Sequence, residues 1–99
     1  MKITIRSVHF DADEKLLDYV NVKVGKIEKF YDRIVGAEVF LRLDNQGKKI
    51  KDKIAEIRLL IPGNDLFAKA ESKSFEESTL IAVESIQAQL KKHKEKLRK

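Results

Sequence analysis

The 99-residue chain contains no cysteine and no tryptophan, a single proline and four glycines. Without cysteine there can be no disulfide and no thiolate nucleophile or ligand, and the redox compartment is left open. With so little proline and glycine, hardly any of the chain reads as linker or disordered segment. Long apolar runs are missing as well. A run such as Leu59-Leu60-Ile61-Pro62 falls far short of the roughly 20 residues needed to cross a bilayer. Met1 is followed by Lys-Ile-Thr-Ile-Arg rather than an apolar stretch, so no signal peptide is visible. A soluble, cytoplasmic protein without a membrane partner is expected.

What is present is a core's worth of apolar residues (42%) and a heavily charged surface (37% Asp, Glu, Lys and Arg), enough for one domain over residues 1–99. The net charge of +5 has a definite location. Residues 1–90 contain 15 Lys/Arg and 15 Asp/Glu, whereas residues 91–99 (KKHKEKLRK) carry six Lys/Arg against Glu95. A body that is neutral in bulk and basic at one end suits a polyanionic partner. By itself such a tail is equally compatible with a solvated chain end.

Hydrophobic periodicity predicts the elements. Residues 2–8 alternate, with Ile3 and Ile5 on one face, as in a half-buried strand. Asp11-Ala12-Asp13-Glu14 resembles a capping box, in which Asp11 accepts a free backbone N–H and Glu14 reaches back. A helix is then expected from about Ala12 to Tyr31. Its apolar stripe is Leu16, Leu17, Val20, Val24, Ile27 and Tyr31, with Lys23, Lys26, Lys29 and Arg33 on the opposite side. Gly25 interrupts this helix, either as a tolerated imperfection or to let a backbone or phosphate come close. Ile34–Asp44 alternates with Val39, Leu41 and Leu43 inward, and Asn45-Gln46-Gly47-Lys48-Lys49 signals a turn. A strand over about Lys53–Ile61, a turn at Pro62-Gly63-Asn64-Asp65 and a short strand over Leu66–Glu71 complete an antiparallel meander. A second helix opens on another capping box, Ser74-Phe75-Glu76-Glu77. It buries Phe75, Thr79, Ala82, Val83, Ile86, Leu90 and Leu97, and runs nearly to the chain end, about two turns beyond the sheet. The order β-α-β-β-β-α, with one apolar face per helix and one on the sheet, implies an α+β fold. Its four-stranded sheet should carry both helices on the same face, with residues 91–99 as a basic helical C-terminal extension. Glu38, Phe40, Arg42, Glu56, Arg58, Phe67 and Lys69 are left on the other face.

Little in the chain suggests catalysis. Its two histidines, His9 and His93, have no partner at metal-ligand spacing, and no nucleophile–base pair or glycine-rich phosphate loop is present. The protein is therefore read as non-enzymatic, with no cofactor, no metal and no small-molecule substrate. Nucleic-acid binding has positive support. The lysine face of the first helix and the basic end of the second would lie side by side if both pack on one sheet, and phosphate contacts need cations spread over an area. Aromatics are scarce (7%) and no paired Phe/Tyr pattern on adjacent strands is visible, so backbone shape in folded RNA is favoured over base reading. Phe40 and Phe67 are the exceptions, able to stack on a partner or simply to pair across strands.

Two motifs carry a family resemblance. Lys23-Val-Gly-Lys26-Ile-Glu-Lys29-Phe30-Tyr31-Asp32-Arg33-Ile34 resembles the K-x-x-K-L-x-[KR]-[YF]-[FY]-D-R-I signature that ends the first helix of the ribosome hibernation promoting factors, also called ribosome-associated inhibitors or sigma-54 modulation proteins. Gln89-Leu90-Lys91-Lys92-His93-Lys94-Glu95-Lys96-Leu97 is similar to the family's Q-L-x-K-[HY]-K-[DE]-K-[LI]. The resemblance covers essentially the whole chain and implies a double-stranded-RNA-binding-like fold. It further implies a factor that occupies the messenger and transfer RNA channel of the small ribosomal subunit and inhibits translation in stationary phase or stress. The positions expected to face ribosomal RNA are then Lys23, Lys26, Lys29, Arg33, Gln89, Lys91, Lys92, His93, Lys94 and Lys96. Phe30, Tyr31 and Asp32 are expected to serve packing and turn formation. The second helix departs from the family pattern at Ser74-Phe75-Glu76, Glu84-Ser85-Ile86 and Ala88, which removes two mid-helix cations and shifts weight to the terminus. The chain also ends at Lys99, without the ribosome-dimerising domain of the long members, so pairing or only silencing of ribosomes stays open. Two alternatives stand beside this reading. One is a regulatory protein-interaction module anchored on Phe40 and Phe67; the other is a non-inhibitory RNA-binding or assembly factor.

Overall fold

Burial of a single sheet face organises the chain. The computed structural model describes residues 1–44 and 52–97 and places its elements in the order β1 (Lys2–Val8), α1 (Glu14–Gly25), a 3₁₀ turn (Lys26–Lys29), β2 (Gly36–Asp44), β3 (Asp52–Ile61), β4 (Asn64–Ser72) and α2 (Phe75–Leu97). The strands lie side by side in sequence order, β1 parallel to β2 and the rest antiparallel. Alternate residues Ala37, Val39 and Leu41 of β2, Ala55, Ile57, Leu59 and Ile61 of β3, and Leu66, Ala68 and Ala70 of β4 are buried. They pack against Val20, Val24 and Ile27 of the first helical segment and Phe75, Ala82, Val83, Ile86 and Leu90 of α2 in one core. The expected β-α-β-β-β-α sheet with both helices on one face is the fold observed. The turn expected at Asn45-Gln46-Gly47-Lys48-Lys49 lies outside the described residues, as does the Leu97 side chain expected to point inward.

Topology sets the helix directions. Since β1 and β2 are parallel, α1 must run back along the sheet to connect them. Strand β4 points the same way as β2, and α2 turns back from it immediately, so α1 and α2 run parallel. Contacts at both ends agree. At the amino ends Phe10 stacks on Phe75 (4.6 Å between centroids, 10° between planes). At the carboxyl ends Tyr31 meets His93 edge-on (5.7 Å, 88°). Between Ile61 and Asn64 the hairpin needs only Pro62-Gly63, and Gly63 at φ +78° supplies the left-handed residue of a type II turn.

Three local features differ from the pattern-based expectation. The first helix is capped by Asp13, not Asp11. Asp13 is extended (φ −77°, ψ 167°) and its carboxylate accepts the Leu16 N–H at 2.8 Å. The Phe10–Phe75 stack and the left-handed His9 (φ 68°) hold the preceding segment in a turn, so the helix starts later. The α-helix also stops at Gly25 rather than Tyr31 and tightens into the 3₁₀ turn. There residues three apart eclipse, which brings Lys26 and Lys29 to one face. The third feature is Ser78, fully buried although polar. Its hydroxyl donates to the Lys53 carbonyl (2.6 Å) and lies 2.7 Å from the Ser72 hydroxyl, which also reaches the Ser74 carbonyl (2.8 Å). The cap at the start of α2 is one-sided. Ser74 accepts the Glu77 N–H (3.1 Å), while the Ser74 N–H is taken by Ser72.

Gly25 has ordinary helical dihedrals (φ −59°, ψ −28°), and a Cβ there would meet only Ile3 Cδ1 at 4.0 Å. No close approach among the described residues explains the glycine. Replacing it restricts the unfolded chain without strain. Gly25→Ala is therefore expected to raise the unfolding free energy by about 0.4–1 kcal/mol, read as a higher urea midpoint at unchanged slope.

Candidate nucleic-acid interface

The parallel helices deliver both basic motifs to one end of the molecule. Leu90 is the last fully buried residue of α2 among those whose side chains are described, and Lys91–Leu97 continues as about two further helical turns. These turns lie against the segment that follows the 3₁₀ helix. The Lys94 ammonium donates to the Phe30 carbonyl at 2.7 Å, and His93 is half-buried on the Tyr31 ring. Lys26, Lys29 and Arg33 from one motif and Lys91, Lys92 and Lys96 from the other are exposed around this junction. Among the described residues none of these six is held in an ion pair. Glu28, the acid between Lys26 and Lys29, is matched by the Met1 ammonium at 2.9 Å. The negative ends of both helix dipoles also point here, which favours cations at these positions. At the opposite ends, Asp13 and Glu14 of one helix and Glu76 and Glu77 of the other gather negative charge.

The ten sequence-derived site residues are not equivalent. Lys23 is partly covered and sits over the Tyr19 ring (5.4 Å), a cation–π contact that fixes its stem. Burial, and secondarily the Glu76 carboxylate, hold the Tyr19 phenol above its ordinary value. Gln89 is turned toward the sheet. Its amide nitrogen donates to the Phe67 carbonyl (2.8 Å) and lies 3.3 Å from Ser85 Oγ, tying α2 to β4. His93 and Lys94 join the two motifs as well as belonging to the surface.

Phe30 departs from its expected packing role. Tyr31 does pack on the core, whereas the Phe30 residue remains 47% exposed. It borders a groove of about 390 Å³ whose other walls are Gln87, Ala88, Lys91, Lys94 and Glu95. Periodicity leaves Phe30 outside the apolar stripe that includes Tyr31, so the packing role expected for Phe30 rested on the family resemblance alone. On the far sheet face Phe40 is half-buried opposite Glu56, and Phe67, 49% exposed, stands opposite Arg58. That face is a checkerboard of both charge signs, with Arg42 near Glu56 at 3.4 Å. Among the described residues no group of three His, Asp or Glu side chains is placed to hold a metal ion, and no helix is long and apolar enough to cross a membrane.

Comparison with known proteins agrees with this architecture. The family model described as sigma 54 modulation protein / S30EA ribosomal protein matches residues 3–98. A ribosome hibernation promoting factor of Pseudomonas putida is 31% identical over 96 residues, covering 97% of this chain and 89% of its own. The ribosome hibernation promotion factor of Bacillus subtilis is 29% identical over 99 residues, which is 98% of this chain but 50% of that protein. Among solved structures, a ribosomal subunit interface protein from Coxiella burnetii shares the fold with a TM-score of 0.83 at 22% identity, over 95% of this chain and 98% of that one. The Thermus thermophilus Protein Y N-terminal domain gives 0.81 at 22% identity, over 94% and 99%.

The tether formed by Gln89 has a measurable cost. A net hydrogen bond contributes about 0.5–1.5 kcal/mol, so Gln89→Ala should lower the unfolding free energy by that amount. The same variant should speed amide hydrogen exchange where α2 meets β4.

Proposed function

Because the chain belongs to the sigma 54 modulation protein / S30EA ribosomal protein family, we propose that it is a ribosome hibernation factor. It binds the small ribosomal subunit through the basic end built by its two helices and occupies the messenger and transfer RNA channel. In that position it stops translation during stationary phase or stress. The family is one of ribosome-associated factors rather than enzymes. Ribosome association also puts the protein in the cytoplasm.

The observation that carries this reading is the convergence of two cation sets, about 60 residues apart in sequence, on a single junction where six of the cations form no ion pair among the described residues. Spread-out, unpaired lysines match the phosphates of folded RNA, whose counterions they would release. They match a protein partner less well, since protein interfaces are depleted in lysine. The mixed-charge sheet face bearing Phe40 and Phe67 is the better place for a protein partner, and nothing in its charge selects a nucleic acid.

Sedimentation of stationary-phase lysates tests the association, with co-migration expected at low and moderate salt. Recovery only at the top of the gradient would reject it. Treatment with RNase separates this from the sigma-factor reading, in which bound material survives digestion. An in-vitro translation assay separates it from an assembly factor, because a channel-occupying protein reduces output stoichiometrically with ribosomes. The double variant Lys23→Glu, Lys26→Glu should keep the urea midpoint close to that of the native chain while lowering affinity for isolated small subunits by at least about tenfold. It should also flatten the salt slope by roughly 1.4–1.8, the share of two phosphate contacts. Normal binding by that variant would remove the first-helix surface from the interface.

A further inference from the structure

We propose that the groove beside Phe30 holds a single unpaired nucleobase of the bound RNA, stacked on the Phe30 ring. The inference rests on the RNA-binding reading above and deepens it, because cations alone account for phosphate contacts only.

The groove has the chemistry of a base rather than of a phosphate. The aromatic ring of Phe30 forms one wall and remains nearly half exposed in a chain with only seven aromatic residues. Ala88, with the smallest side chain of the lining residues, leaves room in the groove. Lys91 and Lys94 also line it, about one helical turn apart, and can meet the phosphates that flank an inserted nucleotide. Glu95 also lines the groove and would repel a phosphate placed inside it, whereas a base is uncharged. Gln87 offers an amide that can both donate to and accept from a base edge.

Phe30 is also held in place before any ligand arrives. Its carbonyl is fixed by the Lys94 ammonium at 2.7 Å, and the neighbouring Tyr31 is pinned against His93 and the core. With the backbone already fixed, only the side-chain rotation of Phe30 is lost on stacking. The charge pattern decides between occupants. An apolar peptide side chain would fill the groove equally well, but the two lysines that line it fit a polyanion's flanking phosphates.

The absence of tryptophan supplies a clean probe. Phe30→Trp places the only indole of the chain in the groove. Titration of this variant with a single-stranded oligoribonucleotide should quench its fluorescence, while an abasic ribose-phosphate strand of equal length should bind through the lysines without quenching. Equal quenching by both strands, or by neither, overturns the proposal. Binding to isolated small subunits provides the second readout. Phe30→Ala should weaken it by about fivefold to a hundredfold, the range for loss of one base–aromatic stack. The salt slope should be unchanged and Phe30→Tyr should restore affinity. Loss of affinity together with a flattened salt slope, or no loss at all, counts against stacking. Replacing Phe30 with the photo-crosslinker p-benzoylphenylalanine identifies the occupant on the subunit. An adduct to RNA supports the inference, and an adduct to a ribosomal protein overturns it. Quenching by oligoribonucleotides without any binding to subunits would instead reject the ribosomal reading while leaving the groove assigned.

Discussion

Burial of one face of a four-stranded sheet is the constraint from which the rest follows. Val39, Leu41, Ala55, Ile57 and Leu59 are fully shielded or nearly so, and they can be covered only from one side because their neighbours on the strands are largely polar. Two amphipathic helices must therefore share that side. Once β1 pairs parallel to β2 and the hairpins return β4 to the same direction, the helices have no choice but to run parallel. Their carboxyl ends, and with them both basic motifs, arrive together.

This arrangement makes charge polarity a consequence of topology. Each helix individually follows the rule that acids favour the amino end and bases the carboxyl end, which stabilises the helix dipole. In antiparallel helices such gradients would cancel across the molecule. In parallel helices they add, giving an acidic end near Asp13, Glu14, Glu76 and Glu77 and a basic end near Lys26, Lys29, Lys91 and Lys92. The same residues that stabilise the helices thus create the field that would orient a polyanion. Stability and recognition draw on one set of side chains.

The junction between the motifs is built from groups that have two duties. Lys94 closes onto the Phe30 carbonyl, His93 leans on Tyr31, and Gln89 ties its helix to β4 through the Phe67 carbonyl. These contacts fix the spacing between the exposed cations on either side. Lys91, Lys92 and Lys96 can then stay exposed without the ends of the helices fraying apart. The outer sheet face has no comparable organisation. Its cross-strand rows alternate charge sign, which suits a solvated surface.

Much of this could be read from residue order alone. Period-two alternation placed the strands, including the inward Val39, Ile57 and Ala68, and period-3.6 stripes placed Val20, Val24, Ala82, Ile86 and Leu90 in the core. These patterns are local and each residue's face is determined by its neighbours in sequence. The cations of both motifs were legible for the same reason. What sequence could not decide depended on contacts between distant segments. Asp13 rather than Asp11 became the cap because Phe10 is held by Phe75, and the last turn before Phe30 tightened where Ile27 reaches the core. Ser78 could be buried because Lys53 and Ser72, both from strands, satisfy its hydroxyl. Gln89 turned to a strand carbonyl that no helical pattern reveals. The composition and spacing of the chain determined that it would fold with two basic helical ends. The tertiary structure alone decided that those ends meet, with an exposed Phe30 between them, because only the strand pairing sets the relative direction of the helices.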